Sequence, residues 1–513
     1  MDPEPPISTS SASQAPPAPE MVFSKGLRVA IQGCGHGMLD GIYATIEQAC
    51  HLNDYTVDLL IICGDFQAVR NSRDLLTMAC PPKYRHMGDF YKYYNGSKTA
   101  PIPTLFIGGN HEASTHLWEL NHGGWVCPNI YYMGCTGVVN INGIRIAGIS
   151  GIYNEGNYKR PRFEKPPYDD RSVRGAYHYR AHELFRLNML SGDVDIFVSH
   201  DWPEGITKYG NERRLLQWKQ HFRAEVAANT LGAPPLMGVL RKVKPRYWFA
   251  AHMHVKFAAL VDHEEGPRTE APIDPTDWTD VPEMIEATKN EDEIDLDMED
   301  VDVSETSEKQ PAKPAETTSK SSGFYEQYPS APTTNKRTHF LALDKLLPRR
   351  DFLQILTIPS RNPLPVNDPL RTRLQYDREW LAVVRAFDGY DVSSGVGLSQ
   401  FMKIARTEPQ VNKKMRVELT WVNANITDEQ LVIPENWERT ADLQYDDHTK
   451  ASKQLDPFNN PQTESFCKMI SITNKYKPAP YVKKSPPPGA SGSKMDLDST
   501  VAEGSGSATR TKQ

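Results

Sequence analysis

Cys34 and His36 stand two residues apart in a Gly-rich stretch, Gly33-Cys34-Gly35-His36-Gly37, directly after a short apolar run. Side chains at i and i+2 on extended backbone point the same way. A thiolate and an imidazole aimed at one point are metal-ligand chemistry. Four more chemistry-bearing stretches follow: Cys63-Gly64-Asp65, Gly108-Gly109-Asn110-His111-Glu112, Ser199-His200-Asp201 and Ala251-His252-Met253-His254. Each comes directly after an apolar, β-rich run. Taken singly, each has an ordinary explanation: Asp65 as a turn residue, Asn110 as a helix cap, His200 as a satisfied core histidine. Their joint recurrence at strand ends is not explained that way.

Cys34, His36, Asp65, Asn110, His200, His252 and His254 can each offer a lone pair to a divalent cation, and His111 remains. One metal takes about four to six ligands, so this set suits two metals sharing a ligand. Asp65 is the natural bridge, since a carboxylate has two oxygens, and His252 and His254 can each reach a different metal. Two metals about 3.5–4 Å apart can hold one hydroxide and clamp a phosphate. A soft thiolate at Cys34 favours Fe(II) or Zn(II) over Mg(II). The alternative for Cys34 is a thiol lying behind a single metal. Cys63 reads as a buried strand residue.

Strands must present these residues, and the sequence supplies them. Residues 27–32, 57–62, 104–107, 195–198 and 246–250 are apolar runs of strand length. Residues 137–149 read as a hairpin turning at Asn142-Gly143. Helical periodicity falls at 38–52, 212–228 and 371–387, and Thr427 is a candidate N-cap for a short helix. Alternating strand and helix patterns predict an α/β sandwich with β-sheets inside and helices outside.

The chain has 513 residues, of which 39% are hydrophobic, and 40 prolines. That mix implies folded regions joined to unstructured ones. Residues 1–24 are expected to be a disordered leader, without the basic and apolar regions of a secretory signal. The 25–262 segment is the expected catalytic domain. Residues 263–335 are expected to be an acidic disordered insertion between two paired strands, 255–261 and 338–343. Residues 336–478 supply the last core strands and a C-terminal domain, and 479–513 a disordered tail. The net charge is −7, but residues 281–308 hold 12 carboxylates and one lysine, which leaves +4 for the remainder. No apolar run approaches the roughly 18 residues that span a bilayer, so no membrane partner is expected. Seven cysteines without paired spacing fit free thiols in a reducing compartment.

The order of these motifs resembles the calcineurin-like metallophosphoesterase superfamily, whose pattern normally opens with Asp-x-His where this chain has Cys34-Gly35-His36 and carries Gly where Ala251 stands. The cysteine, Gly64-Asp65-Phe66-Gln67-Ala68, Gly109-Asn110-His111-Glu112, Ser199-His200-Asp201-Trp202-Pro203 and the 341–352 stretch together resemble the lariat debranching enzymes. That resemblance implies a metallophosphoesterase-type β-sandwich flanked by helices with a C-terminal debranching-type domain. It implies Cys34, His36, Asp65 and His254 on one metal and Asp65, Asn110, His200 and His252 on the other. His111 would contact the phosphate and act as general acid. The two divalent ions would be Fe(II) and/or Zn(II), with Mn(II) also supporting activity.

The implied reaction is hydrolysis of the 2′-5′ phosphodiester at the branch of an excised intron lariat. A metal-borne hydroxide attacks phosphorus and the branch 2′-oxygen leaves. Residues 151–180, rich in Tyr, Arg and Lys, resemble a lariat recognition loop, with Gly151, Asn157, Tyr158, Lys159 and Arg174 as expected RNA contacts. Branched RNA is the implied partner, alongside splicing-associated proteins. The implied location is nuclear, with shuttling to the cytoplasm, and Lys483-Lys484 is a weak import signal. Two alternatives remain open: a metallophosphoesterase acting on another phosphodiester or a phosphoprotein, and a non-catalytic scaffold of the same fold.

Overall fold

The computed structural model describes residues 26–264, 333–443 and 451–478. The expected leader, most of the acidic insertion and the tail with Lys483 and Lys484 lie outside the described residues. The described strands, in chain order, are β1 (Gly26–Gln32), β2 (Leu59–Ile62), β3 (Thr104–Phe106), β4 (Gly124–Cys127), β5 (Ile130–Tyr132), β6 (Thr136–Ile141), β7 (Ile144–Ile149), β8 (Ile196–Ser199), β9 (Tyr247–Ala250), β10 (Phe257–Asp262), β11 (Arg337–Ala342), β12 (Leu353–Pro359) and β13 (Gln375–Tyr376). They form a six-stranded sheet in the order β12-β1-β2-β3-β5-β4 and a seven-stranded sheet in the order β10-β11-β9-β8-β7-β6-β13.

Both sheets are apolar on both faces, and the period-two alternation divides their side chains between three cores. Leu27, Val29 and Ile31 of β1 and Leu59 and Ile61 of β2 meet Ile196, Val198, Phe249 and Leu341 of the second sheet in a core between the sheets. The intervening residues Ala30, Leu60 and Ile62 turn outward, onto Leu39, Ile42, Tyr43 and Ile46 of the helix Leu39–Asn53. Phe197, Trp248 and Phe340 point out of the second sheet, onto the helices Ala181–Leu187, Pro234–Val243 and Arg378–Phe387. The result is helix, sheet, sheet, helix, as the apolar runs predict.

β10 and β11 pair antiparallel from Phe257–Ala342 to Asp262–Arg337, with residues 265–332 between them. β12 then returns to pair antiparallel with β1 along its whole length, and β13 pairs with β6. The chain after 333 thus completes both sheets. The hairpin turn is formed by Asn142 and Gly143, both at positive φ (49° and 71°), as a tight β-hairpin requires.

Two helices differ from expectation. The 212–228 segment is broken into Glu212–Trp218, a short 3₁₀ turn Gln220–Phe222 and Arg223–Ala228. Lys219 leaves the helical conformation at the break and buries its stem, 6% exposed, with its cation acting on Asp344. The 371–387 segment opens as a turn, passes through the short strand β13 and becomes helical only at Arg378. Asp377 sets that boundary, because its side chain accepts from the Trp380 N–H and commits its own backbone to the extended region.

Asp377 also accepts two guanidinium N–H bonds from Arg145 and one from the Asn140 amide, so it joins helix, β6 and β7. Asp377→Ala is expected to cost about 2–3 kcal/mol in urea denaturation, since it removes a cap and two charge-assisted bonds to Arg145, which keeps Glu379 as its remaining partner. Lys403→Ala, on an exposed helix face, is expected to change stability by about 0.5 kcal/mol or less.

Candidate metal centre

The parallel strands β1, β2, β8 and β9, together with β3 and β11, all run out at one end of the two sheets. The loops after β1, β2, β3, β8 and β9 carry Cys34 and His36, Asp65, Asn110 and His111, His200, and His252 and His254 respectively. This is the common consequence of parallel topology: strand ends converge, and ligands gather there.

Four donor atoms, from Cys34, His36, Asp65 and His254, lie within 4.8 Å of one another. His36 Nε2 is 3.1 Å from His254 Nε2 and 3.7 Å from Asp65 Oδ2. The other carboxylate oxygen faces a second set: Asp65 Oδ1 is 3.4 Å from His200 Nε2, which is 3.2 Å from Asn110 Oδ1. The His252 ring lies 5.0 Å from the His200 ring, centroid to centroid. Asp65 therefore stands between two groups of donors with one oxygen toward each. The His111 N–H donates to Asp65 Oδ1 (2.9 Å), and the His111 ring is 5.7 Å from that of His36.

The donor chemistry fits cations. His200 Nδ1 donates to the Cys63 carbonyl (2.8 Å), so its neutral ring presents only a lone pair at Nε2. That lone pair converges with Asn110 Oδ1 and Asp65 Oδ1, an arrangement only a positive charge satisfies. Burial opposes charge on His200, and the Asp65 carboxylate outweighs it, so its affinity for a proton is above ordinary. Burial would raise Asp65, yet the surrounding imidazoles hold its carboxyl well below the usual range. Burial, with His254 and His111 nearby, takes His36 down to about 3 against the pull of Asp65, leaving a neutral ligand nitrogen. Cys34 is fully buried and its thiol is pushed up by that burial and by Asp65, so a thiolate there needs a cation at hand.

The loops bend sharply to present these groups. His36, Asp65, His252 and His254 all sit at positive φ (43°, 48°, 65° and 46°), conformations that cost a non-glycine residue on the order of 1–3 kcal/mol each. Glycines make the close approaches possible. A Cβ on Gly64 would run into the His200 ring, and one on Gly109 into Asp65 Oδ1. Glu112 ties the loops together, accepting from the N–H groups of Phe66, Gln67 and Gly109 (2.8, 2.9 and 3.0 Å). Its role was not read from the sequence, although it closes the Gly109-Asn110-His111-Glu112 motif.

The expected RNA-contact residues fall unevenly. Gly151 lines a cavity of about 60 Å³ beside the Gly108-Gly109 backbone, walled by Trp118, Arg162, Glu164 and Tyr177. The Asn157 amide is engaged with His178 (2.8 Å), and Tyr158 is 8% exposed, packed against Tyr153. Lys159 and Arg174 are exposed. The segment is held from below by a buried ion cluster that sequence reading missed. Glu183 accepts from Arg162 at 2.7 and 3.0 Å, from the Arg180 N–H and from the Cys135 thiol, while Arg180 pairs with Glu164. Burial works against the Glu183 carboxylate, but Arg162 overcomes it and holds the group well below the ordinary range.

Sheets closed by helices, with acidic and imidazole donors at converging strand ends, define a calcineurin-like phosphoesterase, and that family matches residues 27–256. Residues 335–475 match the C-terminal domain of lariat debranching enzyme. Among curated proteins, the lariat debranching enzyme of Homo sapiens is 41% identical over 454 residues, covering 87% of this chain and 69% of its own length. Those of Gallus gallus (40% over 459 residues, 87% and 70%) and Schizosaccharomyces pombe (39% over 472 residues, 90% and 99%) are similar. This chain belongs to the lariat debranching enzyme family.

Gly109→Ala is expected to lose bound metal, read by elemental analysis of purified protein, because the added methyl displaces Asp65. Glu183→Gln is expected to destabilise the fold by about 3 kcal/mol or more near neutral pH. Its native carboxyl is depressed, so its stabilising contribution is fully present above the unfolded pKa of about 4.3 and is lost progressively as pH falls from there toward the much lower folded value. Chemical denaturation of both proteins from pH 7 to pH 3 should therefore show the difference shrinking.

Proposed function

We propose that this chain hydrolyses the 2′-5′ phosphodiester at the branch point of excised intron lariats, giving a linear RNA with a free 2′-hydroxyl and a 5′-phosphate. Membership of the family supports the reaction. The observation that carries it is Asp65, set with one oxygen toward each of two donor groups. The enzyme depends on divalent metal. Cys34, His36, Asp65 and His254 would hold one ion, and Asp65, Asn110, His200 and His252 the other. When bound, such a pair supplies Lewis acidity at a phosphoryl oxygen and acidifies water. The Cys34 thiolate favours Fe(II) or Zn(II) in these positions, with Mn(II) also supporting turnover.

The remaining work falls to the protein's own groups. His111 holds the proton that the departing branch 2′-oxygen must receive, a general-acid role. Its backbone N–H is bonded to Asp65, so the acid is positioned by the same carboxylate that organises the donors. The sheet ends and the 151–180 segment orient the branch, with Gly151, Asn157, Lys159 and Arg174 offered to RNA and Tyr158 packed beneath them on Tyr153. We place the enzyme in the nucleus, where lariats are produced, with passage to the cytoplasm and splicing-associated proteins as partners.

A short branched RNA with one 2′-5′ linkage, compared with a purely 3′-5′ control, tests this reading. Metal-dependent cleavage of the branch alone is expected, abolished by chelation and restored by Fe(II), Zn(II) or Mn(II). His111→Ala should lower kcat by about 10²–10⁴-fold. Cleavage of both RNAs would instead favour a general phosphodiesterase. Absence of any cleavage, with no metal bound, would favour a scaffold. Cys34→Asp should shift the preference from Zn(II) or Fe(II) toward Mn(II) or Mg(II), read by activity after reloading with each ion.

A further inference from the structure

The connection between β11 and β12, residues 343–352, is built into the same end of the sheets as the donor groups. The Leu343 N–H donates to the Ala250 carbonyl (3.1 Å), the Gly33 N–H to the Phe352 carbonyl (2.9 Å), and the Asp344 N–H to the Asp351 carbonyl (3.1 Å). The loop is thus stitched between the strand that leads to His252 and the strand that leads to Cys34. Its backbone crosses Gly33 so closely that a Cβ there would meet the Asp344 carbonyl, and the Leu346 side chain lies over Gly41. Lys345 falls between these two contacts.

The charges of this loop are unbalanced in a specific way. Asp344 is buried, caps the Lys345 N–H (2.7 Å) and lies 3.7 Å from Arg350. Asp351 is 3.6 Å from Lys256. Both carboxylates are therefore engaged. Lys345 is half-buried and Arg349 exposed, and among the described residues neither cation has an ion-pair partner. The Lys345 charge is close enough to act on His36. Arg349 is held at φ 62°, a strained conformation for a side chain of its size. A partly desolvated ammonium without a counter-ion is costly, and it stands beside a site that handles phosphate.

A branch nucleotide is bonded to three phosphodiesters, through its 5′, 3′ and 2′ oxygens. A metal pair can neutralise the scissile one, which leaves two anions to be met by the protein. We propose that Lys345, with Arg349 outside it, is a phosphate clamp for the RNA strand flanking the branch, contacting a phosphodiester adjacent to the scissile one. This rests on the reading of the chain as a branched-RNA hydrolase and names cations for its substrate outside the 151–180 segment. Lysine suits the inner position as a compact point charge, and arginine the outer as a broader fork.

Binding is measured by fluorescence anisotropy of the short branched RNA on the His111→Ala protein, which keeps the RNA intact, over a series of KCl concentrations. Adding Lys345→Gln is expected to raise Kd about tenfold, in line with a charged hydrogen bond. The slope of log Kd against log salt should fall by about 0.7, as for one lost phosphate contact on single-stranded RNA. Lys345→Arg should restore most of the affinity and the slope, which separates charge from folding. Arg349→Gln should act in the same direction and less strongly. Unchanged Kd and slope in both glutamine variants would overturn the clamp while leaving the functional reading intact, provided the unmutated protein cleaves the same RNA. Failure of the parent protein to bind or cleave branched RNA would overturn both.

Discussion

The arrangement turns on one carboxylate. Asp65 follows β2 in left-handed backbone, almost wholly buried, with its two oxygens directed at different groups of imidazole, thiol and amide donors. Its position is fixed from several sides: the His111 N–H binds one oxygen, Gly109 passes against it without a side chain, and Glu112 ties down the residues that follow. A buried charge so placed needs compensating positive charge. The surrounding neutral imidazoles cannot supply it without protons or metal, which links the stability of this corner to its occupancy.

The fold makes that corner possible by bringing parallel strand ends together. β1, β2 and β3 in one sheet and β8, β9 and β11 in the other all terminate on the same side, so loops distant in sequence become neighbours. The cost is local strain at four donor-bearing positions, which the rigid sheets behind them can sustain. The region after residue 333 is part of the same device. It contributes an interior strand to one sheet, an edge strand to the other, and between them the loop bonded to Gly33 and Ala250 beside the donors.

The 151–180 segment follows a different logic. It exposes Lys159, Arg160, Lys165 and Arg174, but it is anchored beneath by buried Arg180, Glu164 and Glu183 and by the mostly buried Arg162. The loop is thereby given a fixed base. The glutamate that matters most for this, Glu183, belongs to a helix and carries no mark in the sequence that separates it from any solvent-facing residue.

The sequence by itself determined the strands, because buried strands demand continuous apolar runs, and it singled out the side chains that gather at their ends, because each stands just after such a run. It also placed the Asn142-Gly143 turn and the Thr427 cap, where local backbone chemistry decides the outcome. Tertiary structure decided what depends on distant partners. The break at Lys219 reflects a buried stem beside Asp344, and the strand-to-helix switch at Asp377 reflects both a local cap and a pairing with Arg145. The division of Asp65 between two donor groups, the burial of Tyr158 and the lack of an ion-pair partner for Lys345 among the described residues are of the same kind. A periodicity records which face is apolar; it does not record which charge will lie opposite, because that depends on how far-apart segments meet.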